Sequence, residues 1–473
     1  MAAFCYAFRM PPFPSPAVFA VALALVLGSC AHVANLPINV ATAEGDAGIP
    51  DRTPTGAAYG DDLIVGLAFS GGGTRAAAFS FGVLKGLSTL TTTDRIGSVS
   101  LIDRVDFVSG VSGGSVTAAY FGLKKRAALN DFRERFLIKD AEASLNTQIG
   151  LVNLARGIGG GVNEDLRMRN WLDANLFEGA TFSALTSTGR PLIWINATDI
   201  YNRTPFVFSK TLFSLICSDL GTYPVSSAVA ASAAVPIAFE PVILETYPGR
   251  CKAAVPPWLL KAQSNPTASP LLRAFAEGAM RHRDGSMKYI KLLDGGLVDN
   301  YGLSGFTIAR ESADTPYEPL TPREAVKLRR MLFLIVDAGG ETKKDWAQKL
   351  EGPSGASLVA AITDSALDAS KRLSYSAFEA TMTNWRSALT RWRCRLPAAE
   401  VARLRGSGKW NCRDVEFLVA RIAFDQFDPA LREKLNAIPT TFKLPEDSVD
   451  ELISAGSNAV TQNPAYRTFL RAP

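Results

Sequence analysis

The sequence predicts an α/β fold with a mostly parallel central sheet, followed by a mainly helical C-terminal region. Three observations carry that expectation. Two apolar runs of strand length, LIVGLAF (63–69) and VDFVS (105–109), each break at glycines and continue into a helical pattern. Successive strand–turn–helix units of this kind pack as parallel strands covered on both faces, and such strands are apolar throughout. PLIWINATDI (191–200) and RRMLFLIVDAGG (329–340) have the same continuous apolar character, and YIKLLDGG (289–296) reads as a short strand ending in a turn. Composition agrees: 47% of the 473 residues are hydrophobic and 20% charged, as in ordinary globular proteins. No internal repeat is apparent.

In chain order, the N-terminus reads as an export signal. AVFAVALALVLGSC (17–30) carries an apolar stretch of about eleven residues, too short to span a bilayer, ending in small residues and a cysteine. LGSC resembles a bacterial lipobox. That resemblance makes 1–29 a lipoprotein signal peptide, Cys30 the acylated first residue of the mature chain and 30–62 a tether of small and polar residues. Ala31 after the cysteine implies the outer membrane, facing the periplasm or the exterior. A plain cleaved signal peptide is the alternative, and translation could start at Met1 or Met10. The net charge of +5 comes without any dense Lys/Arg block, which argues against nucleic acid as a partner.

The helical pattern after the first strand is TRAAAFSFGVLKGLSTL (74–90). A Pro-rich, apolar excursion follows AFEPVILETYPGR. It carries Trp258, Leu259, Leu260, Leu271, Leu272 and Phe275, and reads either as a lipid-facing flap or as an insertion packing its own cluster. From about 346 onward helical patterns dominate, and no catalytic motif stands there. Beyond Cys30 the cysteines are Cys217, Cys251, Cys394 and Cys412. In an exported protein these make two disulfides, with proximity favouring 217–251 and 394–412, or else remain buried thiols. No CxxC or histidine pair completes a zinc site.

Two glycine turns carry the chemistry. SGGGTRA (70–76) leaves backbone N–H groups uncovered at a helix N-terminus, where the dipole favours negative charge, a phosphate or a developing oxyanion. Gly71, Gly73 and Ala76 satisfy the dinucleotide fingerprint, but that motif needs an acidic residue at the end of the next strand, and Gly110-Val111-Ser112 stands there. GVSGG (110–114) instead fits G-x-S-x-G. Such a turn is tight enough to strain its central residue, so Gly110 and Gly114 flank Ser112 as small residues.

A serine nucleophile needs a base, and the chain has two histidines, His32 and His282. His32 lies in the tether. His282, in the charged MRHRDGS, reads as a solvated surface residue. Asp294 in LLDGG is then the base, provided burial raises its pKa from about 3.9.

GGGTR, GVSGG and DGG, in this order, resemble the patatin-like phospholipase family. The resemblance covers roughly 63–308, with the Ala/Ser-rich SSAVAASAAVPIAFEPV (226–242) and DGGLVDNYGL (294–303) inside it. It implies a three-layer α/β/α patatin-like fold and hydrolysis of a phospholipid or other acyl lipid, and leaves 309–473 unassigned as a C-terminal extension, in which the apolar run reads as one further core strand near 331–337 before mostly helical patterns. Carried onto this chain, Ser112 attacks, Asp294 completes a Ser–Asp dyad, and Gly71, Gly72 and Gly73 shape the oxyanion hole. Arg75 beside it is either paired with a carboxylate or placed for an anionic head group. Ala76 and Ser70 depart from the family pattern, which more often has glycine and, in plant members, aspartate there. No metal or organic cofactor is implied, and the membrane surface is reached through Cys30. Two alternatives remain: a catalytically silent patatin-fold lipid- or partner-binding lipoprotein, and a Ser-His-Asp hydrolase using His282.

Overall fold

The computed structural model describes residues 35–42, 62–94, 97–141, 165–187, 189–236, 239–252, 254–340, 345–353, 355–405 and 409–463, with Tyr466 and Phe469. The expected signal peptide, Cys30 and most of the expected tether lie outside the described residues. The elements that matter for the site are, in order, β1 (Leu63–Phe69), α1 (Gly73–Thr89), β2 (Thr91–Asp94), β3 (Gly97–Ser100), β4 (Val105–Val111), α2 (Gly113–Lys124), β5 (Leu192–Asp199), β6 (Thr204–Val207), α3 (Val225–Ser232) and β7 (Val242–Glu245). There follow α4 (Pro257–Ser264), α5 (Pro270–Arg283), β8 (Tyr289–Asp294), α6 (Gly296–Asp299), β9 (Arg330–Asp337), α7 (Ala356–Arg393), β10 (Glu416–Ala423) and α8 (Glu446–Thr461).

One sheet has the order β10-β9-β1-β4-β5-β8-β7, with β6 also on β5; β2 and β3 form a separate hairpin. The strands β10, β9, β1, β4 and β5 are parallel. β8 runs against both β5 and β7, and β6 runs against β5. β4 and β9 are buried along their whole length, which is why their sequences are apolar without alternation. Helices cover both faces. Phe79 and Tyr120, from α1 and α2, lie in the larger core, whereas Phe107 and Phe333 of the sheet meet Phe378 and Trp385 of α7 in the other. From β1 the chain steps to β4 and β5 on one side and returns to β9 and β10 on the other. The strand order therefore reverses between β1 and β9, and the carboxyl end of β1, beside that of β4, borders this topological switch point, where an open sheet offers a crevice.

The C-terminal region is built into this sheet. β10 pairs along its whole length with β9, a strand not expected in a mostly helical tail. It is an edge strand, only partly buried, and its sequence EFLVARIA carries charges at Glu416 and Arg421. Its pattern thus lacks the continuous apolar signature. α8 packs against α1 through glycines: a Cβ on Gly82 would overlap the Ile453 carbonyl, and one on Gly456 would overlap that of Phe79.

Residues 35–42 depart from the tether expectation. The Asn39 side chain donates to the Glu245 carbonyl and accepts from the Glu245 N–H, both at 2.9 Å, satisfying the open edge of β7. Asn35 donates to the Pro241 carbonyl at 3.0 Å. The excursion forms α4 and α5, and it packs inward. Leu259, Leu272 and Phe275 are buried, and Trp258 stacks on Phe275. Only Leu260 among its large apolar residues is strongly exposed, so the insertion reading holds over the lipid-facing flap. The cysteines are joined as Cys217–Cys251 and Cys394–Cys412.

Candidate active site

Ser112 stands between β4 and α2 with φ 51° and ψ −125°, a region that residues with a side chain rarely occupy. Several contacts hold it there. Its N–H donates to Ser232 Oγ at 2.8 Å, and that hydroxyl donates to the Asn196 carbonyl at 2.6 Å. Its carbonyl accepts from the Ser115 N–H at 2.9 Å and the Ser115 hydroxyl at 2.6 Å. The glycines of GVSGG answer steric demands. A Cβ on Gly110 would sit 2.7 Å from Ser115 Cα, and one on Gly114 2.5 Å from the Phe69 and Ser70 carbonyl oxygens. One on Gly113 would overlap the Gly73 carbonyl. The elbow and the SGGG loop therefore touch backbone to backbone.

Asp294 ends β8 next to β5, where Ala197 is its partner. Its N–H donates to the Ala234 carbonyl at 2.8 Å, and its carbonyl accepts from the Thr198 hydroxyl at 2.9 Å. Oδ1 accepts the Gly296 N–H at 2.8 Å, and the Ser112 side chain is close enough to act on the carboxylate and lower its pKa. Burial raises its pKa to about 6, with the Gly296 N–H and the Ser112 side chain pulling the other way. The pair is secluded: Ser112 is 4% exposed and Asp294 8%.

Gly72 and Gly73 have φ of 143° and 58°, which glycine alone takes without strain. As the first residues of α1 and α2, Gly73 and Gly113 have N–H groups with no acceptor inside their helices. The Gly71 N–H is differently engaged, donating to the Asn300 carbonyl at 3.1 Å. Gly71 thus shapes the loop against Ser112, to whose Cβ a side chain here would come within 3.2 Å, while the free donors begin at Gly72.

A family model described as patatin-like phospholipase matches residues 67–307, more than half of the 473 residues. The chain belongs to the patatin-like phospholipase family. Among solved structures, human GIVD cytosolic phospholipase A2 is similar over 87% of this chain, at 14% identity with a TM-score of 0.35. Its complex with methyl gamma-linolenyl fluorophosphonate and terbium chloride gives 13% identity and a TM-score of 0.37. The chain spans 63% and 60% of those two chains. No curated protein matches.

Within this family framework the fold brings together Ser112, Asp294 and the glycine loop, as their motifs implied. One open reading narrows and one expectation changes. Arg75 is buried, and its Nη1 donates to the Ile438 carbonyl at 2.8 Å, with Asp337 and Asp364 as the acidic groups acting on it. It ties the C-terminal region to the glycine loop, which favours its structural reading over a head-group contact. His282 is not a solvated surface residue. It is 4% exposed, with Nε2 2.9 Å from Asp199 Oδ2 and 3.4 Å from Asn202 Nδ2. Residue-by-residue reading also missed Ser232, Asn300 and Thr441. The Thr441 carbonyl accepts from the Thr74 N–H at 2.9 Å and lies 2.5 Å from where a Cβ on Gly73 would stand. Ser232 lay within the Ala/Ser-rich tract; nothing local marked Thr441.

Proposed function

We propose that this chain is a serine lipid acyl hydrolase of phospholipase A or esterase type, acting through an acyl-Ser112 intermediate. The observation that carries the reading is the strained elbow that holds Ser112, together with the buried carboxylate of Asp294, on which the Ser112 side chain acts. Asp294 takes the hydroxyl proton as Ser112 Oγ attacks the ester carbonyl carbon. The oxyanion is met by the N–H groups of Gly72, Gly73 and Gly113, fixed before the substrate arrives; loss of one such donor typically costs about 2.7–4 kcal/mol. Collapse of the tetrahedral species expels the alcohol, which takes the proton from Asp294. Water, deprotonated by the same carboxylate, then releases the fatty acid and restores Ser112.

The His282 triad is not favoured, because the Ser112 side chain acts on Asp294 while His282 pairs through Nε2 with Asp199. The lipobox reading adds an acyl anchor at Cys30 and an outer-membrane location to the proposal. The test is a total lipid extract incubated with the protein and with Ser112→Ala. Free fatty acid and lysolipid or deacylated product should accumulate with the first alone. Equal lipid profiles from two folded preparations would favour the silent lipid-binding alternative.

A further inference from the structure

Eleven large hydrophobic residues are strongly exposed among the described residues, and five of them fall in one stretch: Trp346, Leu350, Leu358, Ile362 and Leu373. Leu350 is 98% exposed, Leu373 72% and Ile362 61%. Scattered apolar residues on a surface mean little, whereas a concentration needs an occupant. The last three lie on α7. At 3.6 residues per turn they fall within an arc of roughly 60°, and Leu367 projects from the opposite side.

That opposite side meets the catalytic loop. A Leu367 methyl lies 3.2 Å from where a Cβ on Gly296 would stand, and the Gly296 N–H is the one that holds Asp294 Oδ1. The Ser370 hydroxyl donates to the Val298 carbonyl at 2.5 Å, and Lys371 Nζ lies 3.7 Å from Asp337. The first half of α7 is therefore pinned to the site by one face and shows apolar side chains to solvent on the other. Val235, also exposed, adjoins Ala234, whose carbonyl holds the Asp294 N–H.

Resting on the lipid-hydrolase reading, we infer that the outer face of α7 around Leu358, Ile362 and Leu373, with Trp346 and Leu350 leading into it, seats the protein on a lipid surface. The helix lies along the interface and does not cross it; among the described residues no helix is long and apolar enough to span a membrane. Lipid fits better than a second copy of the chain. A dimer formed here would cover the side of the molecule beside a secluded site, whereas a lipid surface brings the substrate to that side. The exposed charges flanking the face are mixed, Asp364 and Asp368 with Arg372, so attachment comes from apolar insertion and not from attraction to anionic head groups.

The test uses the full chain carrying Cys30→Ser, so that no acyl group contributes. Partition to phosphatidylcholine vesicles and hydrolysis of the vesicle phospholipid are measured beside hydrolysis of a water-soluble short-chain ester. Adding Leu358→Ser, Ile362→Ser and Leu373→Ser together should lower partition at least tenfold and vesicle hydrolysis with it, leaving the soluble ester within twofold. Ile362→Trp alone should strengthen partition. Undiminished vesicle binding by the triple variant overturns the inference, as does a dimer that the triple variant splits without change in partition. A parent inactive on both substrates would overturn the hydrolase reading instead, while the partition measurement still decides the surface.

Discussion

A carboxylate that serves as base beside a serine needs a pKa near the working pH, and at Asp294 burial supplies it. The value of about 6 means that kcat/KM should fall tenfold per pH unit below 6, as the carboxyl gains the proton it must accept. Asp294→Asn should lose about 10²–10⁴-fold in kcat/KM on any ester. The same residue burdens the fold. With the pKa raised from 3.8 to about 6, the folded chain binds this proton more tightly than the unfolded chain does. Its contribution is full below about pH 4 and is lost as pH rises through 6, a cost of about 3 kcal/mol. Asp294→Asn should therefore melt above the parent at pH 8, with a smaller difference at pH 4. Asp199 shows the opposite balance. Burial acts to raise the Asp199 pKa, and the bonds from His282 and Asn202 outweigh it. His282→Ala strips a buried carboxylate of its partner and should cost about 3–5 kcal/mol of stability, with soluble-ester turnover per folded molecule retained. Loss of turnover at unchanged melting temperature would restore the triad.

Elements were legible in the sequence to the degree that local pattern determines them. β1, β4, β5 and β9 are buried on both faces, so apolar runs announce them; Ser112 and Asp294 were legible because strand-end turns need glycines at fixed offsets. β10 escaped notice because an edge strand is only half covered. His282 was misread because its burial comes from Asp199, 83 residues earlier in the sequence. Asn300 and Thr441 act through long-range contacts of their carbonyls that leave no local signature, and Ser232, though inside the Ala/Ser-rich tract, acts through a hydroxyl whose partners lie far along the chain. The crossing of α1 and α8 belongs to this class and offers a test with a distinctive sign. Gly→Ala inside a helix ordinarily stabilises by up to about 1 kcal/mol. Gly82→Ala should instead lower stability by about 1–3 kcal/mol, because the methyl meets the Ile453 carbonyl. Thermal melting of that variant reads the sign directly.

At the scale of the molecule, the C-terminal third is built into the fold around the candidate site and is not an appendage. β10 extends the sheet, Thr441 and Ile438 close on the glycine loop and Arg75, and α7 backs the loop that holds Asp294. This region carries no motif of its own, so the family resemblance ends before it while the fold does not. All of it serves one arrangement, a strained serine addressed by a buried carboxylate and uncovered backbone donors. The most direct test is mass spectrometry of the folded protein after reaction with a fluorophosphonate. The account predicts a single adduct on Ser112, absent in Ser112→Ala and strongly slowed in Asp294→Asn. A folded protein that takes no adduct, or takes it on another residue at the parent rate in Ser112→Ala, would contradict it.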